Sequence, residues 1–239
     1  MTAYVLDTET TGIDEPQIVE VGWMAFTTLD DAIPRPIAPH NSVRDYCERF
    51  KPSKPMAFSA IATHHILPDE LVDCPPSSSF LMPAGAEYLI GHNIDFDWKA
   101  IGSPPMKRIC TLAIARHLWP EADGHSLGAL HYMLNGATAE SRWALRNAHS
   151  ALIDCGLTAI LLERILLQKT ELTTWSALHA YSELCRIPLL MGFGKHAGMK
   201  LSELPPDYVQ WLLKQEWLDG YLKIGLERAM AERRGARRA

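Results

Sequence analysis

Two acids after the first apolar run are the residues best placed to do chemistry. Asp7 and Glu9 follow residues 3–6, an apolar run that predicts a buried strand. Alternate residues of a strand point to the same side, so both carboxylates lie on one face. They repel each other unless a cation lies between them, and Mg²⁺ binds oxygen ligands of this kind. For this motif taken alone, two ordinary solvated surface acids remain an equal alternative.

Further acids and a histidine follow downstream. Asp97 comes a short turn after the apolar strand predicted at residues 87–90, and Asp95 is the competing acid of that segment. His149 and Asp154 lie near the start of a long apolar helix predicted at residues 147–167. Five residues correspond to a rotation of roughly 140° around a helix, so the two side chains do not share a face. They meet only if the histidine lies on the loose first turn or just before it.

The elements that must position these residues alternate between strands and helices. Residues 17–26 are rich in β-forming residues and predict an antiparallel neighbour of the first strand, since the link is short. Residues 43–50 predict a third strand at the edge of the sheet. The pattern therefore indicates an α/β domain whose sheet is covered on both sides. The other predicted elements are a helix at residues 56–62, a helix ending at 86, a strand at 108–110, and helices at 111–118 and 126–133.

The composition of this 239-residue chain favours a reduced, aqueous setting. Its five cysteines are scattered and form no C-x-x-C pair, which argues against a disulfide scaffold or a zinc knuckle. No apolar run is long enough to span a bilayer, and the first residues lack the pattern of a signal peptide. We therefore expect a cytoplasmic protein with no membrane partner.

Charge is distributed unevenly along the chain. The formal net charge is −5, yet residues 172–239 carry ten Lys or Arg against seven Asp or Glu. This asymmetry favours a metal held by the acidic part and a polyanion held by the basic part. A basic end that only aids solubility is the alternative.

From about residue 170 the pattern of predicted elements changes. It predicts a helix at residues 175–184, a glycine-rich loop at 192–198 and two further helices, one opening at Pro206 and one at Trp217. Tryptophans are more often core residues than stacking platforms for bases. We therefore expect the three tryptophans of this part to be buried, namely Trp175, Trp211 and Trp217.

Taken together and in order, the motifs resemble those of a known family. Asp7-Thr-Glu9, Asn93-x-x-Phe96-Asp97 and His149-x-x-x-x-Asp154 resemble the three motifs of the DEDDh branch of DnaQ-like 3′–5′ exonucleases. The similarity is closest to the exonuclease X group of that branch. The loop Phe193-Gly194-Lys195-x-x-Gly198 and the helix after it also resemble a small C-terminal module of that group.

The resemblance implies a fold and a domain division. The fold would be RNase H-like, a mixed five-stranded sheet flanked by helices in which the first three strands are antiparallel. Residues 1–170 would form the exonuclease domain, and residues 171–239 a small, basic, helical C-terminal module.

The resemblance also implies a reaction and the roles of the residues in it. It makes Asp7, Glu9, Asp97 and Asp154 the ligands of two Mg²⁺ or Mn²⁺ ions, and His149 the general base. The expected reaction is 3′–5′ hydrolysis of DNA ends to nucleoside 5′-monophosphates, in DNA repair. The alternatives are trimming of RNA 3′ ends, as by RNase T, and a catalytically silent relative that binds nucleic acid.

A second set of residues is expected to contact the nucleic acid. Ile13 would wedge against the terminal base, with packing against the core as an equal alternative. Asn93 is also expected to cap the helix that follows it, and Glu20 to support the site rather than to bind metal. The expected contacts are Thr8, Thr10, Thr11, Gly12, Ile13, Asn93, Phe96 and Lys195.

Overall fold

A computed structural model of the chain describes residues 1–146 and 148–236. The predicted helix start at residue 147 and the tail residues Arg237 and Arg238 lie outside the described residues. The chain divides into two compact units, the first Met1–Ser182 and the second beginning at Glu183. The predicted boundary after residue 170 comes before this division. Residues just past it belong to the first unit, where the ring of Trp175 stacks on Tyr88 with centroids 6.3 Å apart.

The described part of the first unit contains one five-stranded sheet with the order β3-β2-β1-β4-β5. Strands β1 to β3 pair in antiparallel fashion, whereas β4 is parallel to β1 and β5 is parallel to β4. The predicted mixed sheet, with its first three strands antiparallel and the third at the edge, is confirmed. The strands are β1 Thr2–Thr10, β2 Ile18–Thr27, β3 Arg44–Arg49, β4 Ala86–Gly91 and β5 Lys107–Cys110.

The helices of the described residues follow the predicted order with two differences. The helix predicted to end at residue 86 does not form, because Pro83 and Gly85 (φ +80°) interrupt the segment and only the turn Ser77–Ser79 is helical. A helix not predicted forms at Ala139–Ala144, where Thr138 caps the amide of Ser141. The helices are α1 Phe58–His64, α2 Asp95–Ala100, α3 Thr111–Leu118, α4 Leu127–Asn135, α5 Ala139–Ala144, α6 Ala151–Gln168, α7 Trp175–Cys185, α8 Pro206–Leu212 and α9 Gly220–Ala236.

Helix α6 lies against the sheet at strands β1 and β2 and fixes the position of its own first turn. A side chain at Gly22 would place its Cβ 2.5 Å from the backbone carbon of Ala151 and the amide nitrogen of Leu152. The absence of that side chain lets the start of the helix approach β2 closely. Gly22 pairs with Asp7 across the strands, so the helix begins beside the first acid of the sequence motif.

The second unit has an aliphatic core of its own. Helices α8 and α9 and the preceding loop bury it between them, and its buried members are Met191, Leu201, Leu204, Val209, Leu212, Leu222, Leu226 and Ala229. Trp175, in the first unit, is fully buried as predicted. The same prediction is wrong for Trp211 and Trp217, which are 50% and 59% exposed. Aliphatic side chains fill this small core, so the two indoles stay at its surface.

None of the described helices combines the length and the apolar character that crossing a bilayer requires.

Candidate active site

Strand β1 carries the first two acids of the site. Asp7 and Glu9 lie two residues apart within the strand, whose last residues extend beyond the predicted apolar run. Their partners on β2 are Gly22 and Glu20. Glu9 is only 8% exposed, although it carries an ionisable group. A buried carboxylate requires a partner or a proton, which singles out this end of the sheet.

Helix α2 brings a third acid onto the same strand. Asp97 is 4% exposed, and its Oδ1 accepts hydrogen bonds from the backbone N–H of Thr8 at 3.0 Å and from its hydroxyl at 2.7 Å. Asn93 has a left-handed backbone (φ 72°), and its carbonyl accepts the N–H of Phe96 at 3.0 Å. The expected side-chain cap by Asn93 is absent from α2. Instead, its backbone makes the turn that aims the helix at β1, because asparagine tolerates this conformation better than most residues.

The fourth acid and the histidine meet at the start of α6. His149 lies two residues before the helix with a left-handed backbone (φ 69°), and its N–H donates to Asp154 Oδ2 at 3.1 Å. The turn before the helix therefore overcomes the angular separation that a regular helix would impose. Glu9, His149 and Asp154 each offer one ligand atom, and these atoms lie within 4.8 Å of one another.

The electrostatics of the acids show that they share one region. Burial, followed by the charges of Asp97, Asp154, Glu9 and Glu20, raises the pKa of Asp7 well above its usual value. Burial, followed by the charges of Asp154, Glu20 and Asp97, raises the pKa of Glu9 to about 8. The pKa of Asp97 rises to about 7 through burial, against the hydrogen bonds from Thr8. Burial also raises the pKa of Asp154, although its bond from His149 opposes the shift.

This donor set fits a hard divalent cation. Carboxylate oxygens are the ligands that Mg²⁺ and Mn²⁺ prefer. Neighbouring carboxylates raise the pKa values of Asp7 and Glu9 because like charges lie close together, and a bound cation would supply the opposite charge. The residues that could hold it are Asp7, Glu9, Asp97 and Asp154, with His149 beside them.

Glu20 supports the start of α6. Its Oε1 accepts the N–H of Ala151 at 2.9 Å and the hydroxyl of Ser150 at 3.4 Å. Its Oε2 pairs with Arg49 Nε at 3.2 Å. A carboxylate at a helix N-terminus satisfies free amides and the helix dipole. These contacts agree with the supporting role expected for Glu20, which holds the helix that carries Asp154.

The loop after β1 presents one of the expected contact residues to solvent. Ile13 is 86% exposed, which removes the alternative that it packs against the core. The hydroxyl of Thr10 donates to Gly12 O at 3.1 Å, and the hydroxyl of Thr11 accepts the N–H of Gln17 at 3.1 Å. Both hydroxyls therefore form hydrogen bonds within the protein. Gly12 itself has φ +146°, which favours glycine.

Three more expected contacts and one unexpected residue complete the description. Asn93 is exposed and Phe96 partly so, both at the turn that leads into α2. Lys195 is exposed in the second unit. Sequence reasoning did not single out Phe58, which is 89% exposed at the start of α1. The amide of the preceding Ala57 donates to Thr11 O at 2.8 Å, so the tertiary structure brings the start of α1 to the end of β1.

Three comparisons relate the chain to known proteins. Exodeoxyribonuclease 10 of Escherichia coli K12 is 28% identical over 215 residues, which cover 87% of this chain and 89% of that protein. A structure of exonuclease X in complex with 5′-overhanging duplex DNA superposes with a TM-score of 0.56 at 26% identity, covering 74% of this chain and 99% of the other. A family model described as "Putative quorum-sensing-regulated virulence factor" matches residues 182–231.

A more distant structure shares the fold alone. The zinc-bound form of the E. coli exonuclease I complex with single-stranded DNA has a TM-score of 0.57 at 14% identity, covering 91% of this chain and 60% of the other. The mixed sheet and its flanking helices are thus those of the RNase H-like nuclease fold. The ordered motifs agree with these likenesses, and the chain is similar to exodeoxyribonuclease 10 and to exonuclease X.

Proposed function

We propose that this chain is a 3′–5′ exonuclease that depends on divalent metal ions and releases nucleoside 5′-monophosphates from DNA 3′ ends. The observation that carries the proposal is the convergence of four carboxylates and one histidine from three separate segments. Hydrolases of phosphodiesters use such clusters to bind metal ions against the reacting phosphate. The relatives named exodeoxyribonuclease 10 and exonuclease X support DNA as the substrate.

The chemistry requires that water attack the terminal phosphorus while the bond to the 3′-oxygen of the preceding nucleotide breaks. His149 is exposed beside Glu9 and Asp154, where it can accept the proton that the water loses. An imidazole is the side chain that most readily exchanges protons near neutral pH. The backbone bond from His149 to Asp154 holds the histidine at this position. The shortened strand keeps a 3′-hydroxyl, whose proton comes from solvent.

The acids hold the cations on which the reaction depends. Asp7, Glu9, Asp97 and Asp154 would bind two Mg²⁺ or Mn²⁺ ions, as the resemblance implies. When bound, these ions supply the positive charge that stabilises the attacking and the leaving oxygens. Thr8 keeps Asp97 oriented through two hydrogen bonds, and Glu20 keeps the start of α6 in place.

Exposed residues at the end of β1 would engage the strand that enters the site. Ile13 projects into solvent on the loop that follows the two acids, and we propose that it packs against the terminal base. Such a contact positions the last phosphodiester without reading the sequence of the bases. This fits an exonuclease, which must accept every base in turn.

A digestion of end-labelled strands tests the proposal. A single-stranded DNA labelled at its 5′ end should shorten stepwise from its 3′ end with Mg²⁺ and remain intact in EDTA. The products should be nucleoside 5′-monophosphates, and Asp154→Asn should abolish their release. Binding of DNA without any release of nucleotides would instead identify a catalytically silent relative.

A matched RNA strand separates the two enzymatic alternatives. The sugar 2′-hydroxyl is the feature by which a protein distinguishes RNA from DNA. We expect faster release from DNA than from RNA of the same sequence. The opposite order would identify an enzyme that trims RNA 3′ ends.

A further inference from the structure

The second unit carries a continuous row of aromatic rings at its surface. We call Phe193, Trp217, Trp211, Tyr208 and His196 the aromatic row. Neighbouring ring centroids lie 5.8 Å apart for Phe193 and Trp217, 6.5 Å for Trp217 and Trp211, and 5.7 Å for Trp211 and Tyr208. His196 completes the row at 4.5 Å from Tyr208. The rings come from a loop, helix α8 and the turn before α9, so the fold assembles them.

Three of these rings are largely exposed rather than part of the core of the unit. Phe193, Trp211 and Trp217 are 41%, 50% and 59% exposed, whereas the aliphatic cluster beneath them is buried. On α8, Val209 and Leu212 point inward. Removing a large aromatic surface from water is favourable, so an exposed row of this kind indicates a binding surface.

One lysine lies against the aromatic row, and a second follows it in the same loop region of the sequence. The ammonium of Lys195 lies 5.6 Å from the ring centroid of Tyr208. Among the described residues, no carboxylate lies within 4.0 Å of it. The side chain of Lys200 is 67% exposed and lies 3.8 Å from Glu203. At least one cation beside the rings is therefore free to bind an anion.

We propose that the aromatic row binds an unpaired strand of DNA, whose bases stack on the exposed rings and whose phosphates contact Lys195 and Lys200. Stacking platforms with adjacent cations bind single strands without sequence preference, since every base has a flat face. The choice of DNA as the occupant rests on the function proposed above. The separate family match over residues 182–231 agrees with a distinct module in this part of the chain.

The charges of the surrounding segment define the character of this binding. Glu203, Asp207 and Glu216 balance the three lysines of residues 191–217, so the segment is not strongly basic. Stacking rather than charge should therefore dominate. With about two phosphate contacts, the logarithm of the affinity should fall with the logarithm of salt concentration with a slope of about −1.4.

Fluorescence anisotropy of a labelled oligothymidylate with the full chain in EDTA tests the inference. Without metal no hydrolysis occurs, and the acids of the first unit repel phosphate. The double variant Trp211→Ala and Trp217→Ala should raise the dissociation constant about tenfold or more. Ile224→Ala, which changes a 40% exposed apolar residue on α9 of the same unit, should leave it unchanged. Circular dichroism checks that each variant is folded.

A second variant and a competitor make the test independent of the tryptophan variants. Lys195→Ala should reduce the salt slope by about 0.7. A blunt duplex should compete poorly, because its bases are stacked within the helix. Unchanged affinity in the tryptophan variant, or equal binding of the duplex, overturns the inference. Self-association that the same variant abolishes, with unchanged binding of the oligonucleotide, overturns it too and makes the row a contact between copies.

The same measurements distinguish this inference from the proposed exonuclease activity. If the wild-type chain releases no nucleotide with Mg²⁺ but binds the oligonucleotide through the aromatic row, only the proposed function fails. If it degrades DNA and the tryptophan variant binds as the wild type does, only the aromatic row loses its role.

Discussion

The carboxylate of Asp97 accepts two hydrogen bonds from Thr8, the residue that lies between the two acids of β1. The distances are 3.0 Å from the N–H and 2.7 Å from the hydroxyl. These bonds fix the third acid relative to the first two, although it comes from a different element. They also lower the pKa of Asp97 against the effect of burial. Thr8 was expected to contact nucleic acid, but its hydroxyl faces a proposed metal ligand.

Replacing Thr8 by valine should weaken metal binding. The valine keeps the shape and the backbone N–H but leaves Asp97 without the hydroxyl donor. Loss of such an outer contact typically reduces metal affinity roughly 10- to 100-fold. We expect the Mg²⁺ concentration needed for half-maximal nuclease activity to rise by a factor in this range. Thr8→Ser retains the hydroxyl and should restore the wild-type dependence; identical Mg²⁺ curves for valine and threonine would contradict the role.

The stability of the metal-free protein should fall as the pH rises. The folded-state pKa of Glu9 is about 8 and that of Asp97 about 7, both above the usual range of carboxyls. The folded state therefore binds more protons than the unfolded state between about pH 4 and pH 8. The contribution of these groups is complete below their unfolded pKa and is lost as the pH passes through the folded values. Urea unfolding in EDTA at several pH values measures this slope, and Glu9→Gln should flatten it.

Divalent metal should restore that stability at high pH. A ligand that binds only the folded state, at 100 times its dissociation constant, adds about 2.7 kcal/mol to the free energy of unfolding. We expect Mg²⁺ or Mn²⁺ to raise the unfolding midpoint at pH 8 and to have little effect near pH 5. Ca²⁺-free buffer with added NaCl of equal ionic strength controls for screening. An unchanged midpoint at pH 8 would count against a metal site.

The sequence predicts the sheet well because its physical signals are local. Apolar runs mark β1, β2 and β4, and the short link after Gly12 forces the antiparallel pairing of β1 and β2. The acids of β1 follow from the alternation of a strand. The prediction of a helix ending at residue 86 is wrong for a local reason as well, since Pro83 and Gly85 prevent that helix from forming.

The rest of the site depends on tertiary contacts that no local pattern contains. The contact between His149 and Asp154 requires a left-handed backbone at His149, before α6. Histidine adopts that conformation only in particular turns, which the sequence does not reveal. The exposure of Trp211 and Trp217 depends on aliphatic residues filling the core of the second unit first. The position of Phe58 near the end of β1 depends on a hydrogen bond between distant loops.

Removal of His149 should reduce turnover far more than binding. General-base catalysis typically contributes 10²- to 10⁴-fold to the rate, so His149→Ala should lower kcat on single-stranded DNA by about this factor. The side chain is exposed, and its backbone bond to Asp154 can persist, so stability and KM should change little. His40→Ala, also exposed, serves as the control. A kcat within twofold of the wild type would exclude the role of base.

Truncation of Ile13 should affect the use of substrate without affecting the fold. The side chain is 86% exposed, so Ile13→Ala removes almost no core contact. If it packs on the terminal base, the variant should raise KM for DNA severalfold while leaving the unfolding midpoint unchanged. Leu29→Ala, fully exposed on the loop after β2, should change neither quantity. Equal kinetics for both variants would remove Ile13 from the substrate path.

A methyl group at Gly22 should displace the start of α6, which carries Asp154. Its Cβ would lie 2.5 Å from backbone atoms of Ala151 and Leu152, and backbone cannot move aside as a flexible side chain can. The start of α6 must shift, and with it Asp154. Overpacking of this kind typically costs about 1–3 kcal/mol, so Gly22→Ala should lower both stability and nuclease activity.

Gly156→Ala, a change on α6 itself, provides the matched control. Its Cβ would meet Pro39 at 3.5 Å and Met24 at 3.7 Å, which are ordinary contacts, and alanine favours a helix over glycine by up to about 1 kcal/mol. We expect this variant to be as stable as the wild type or more so, with full activity. Thermal unfolding and nucleotide release measured side by side compare the two glycines. Loss of activity in both, or in neither, would show that the close approach at Gly22 does not position Asp154.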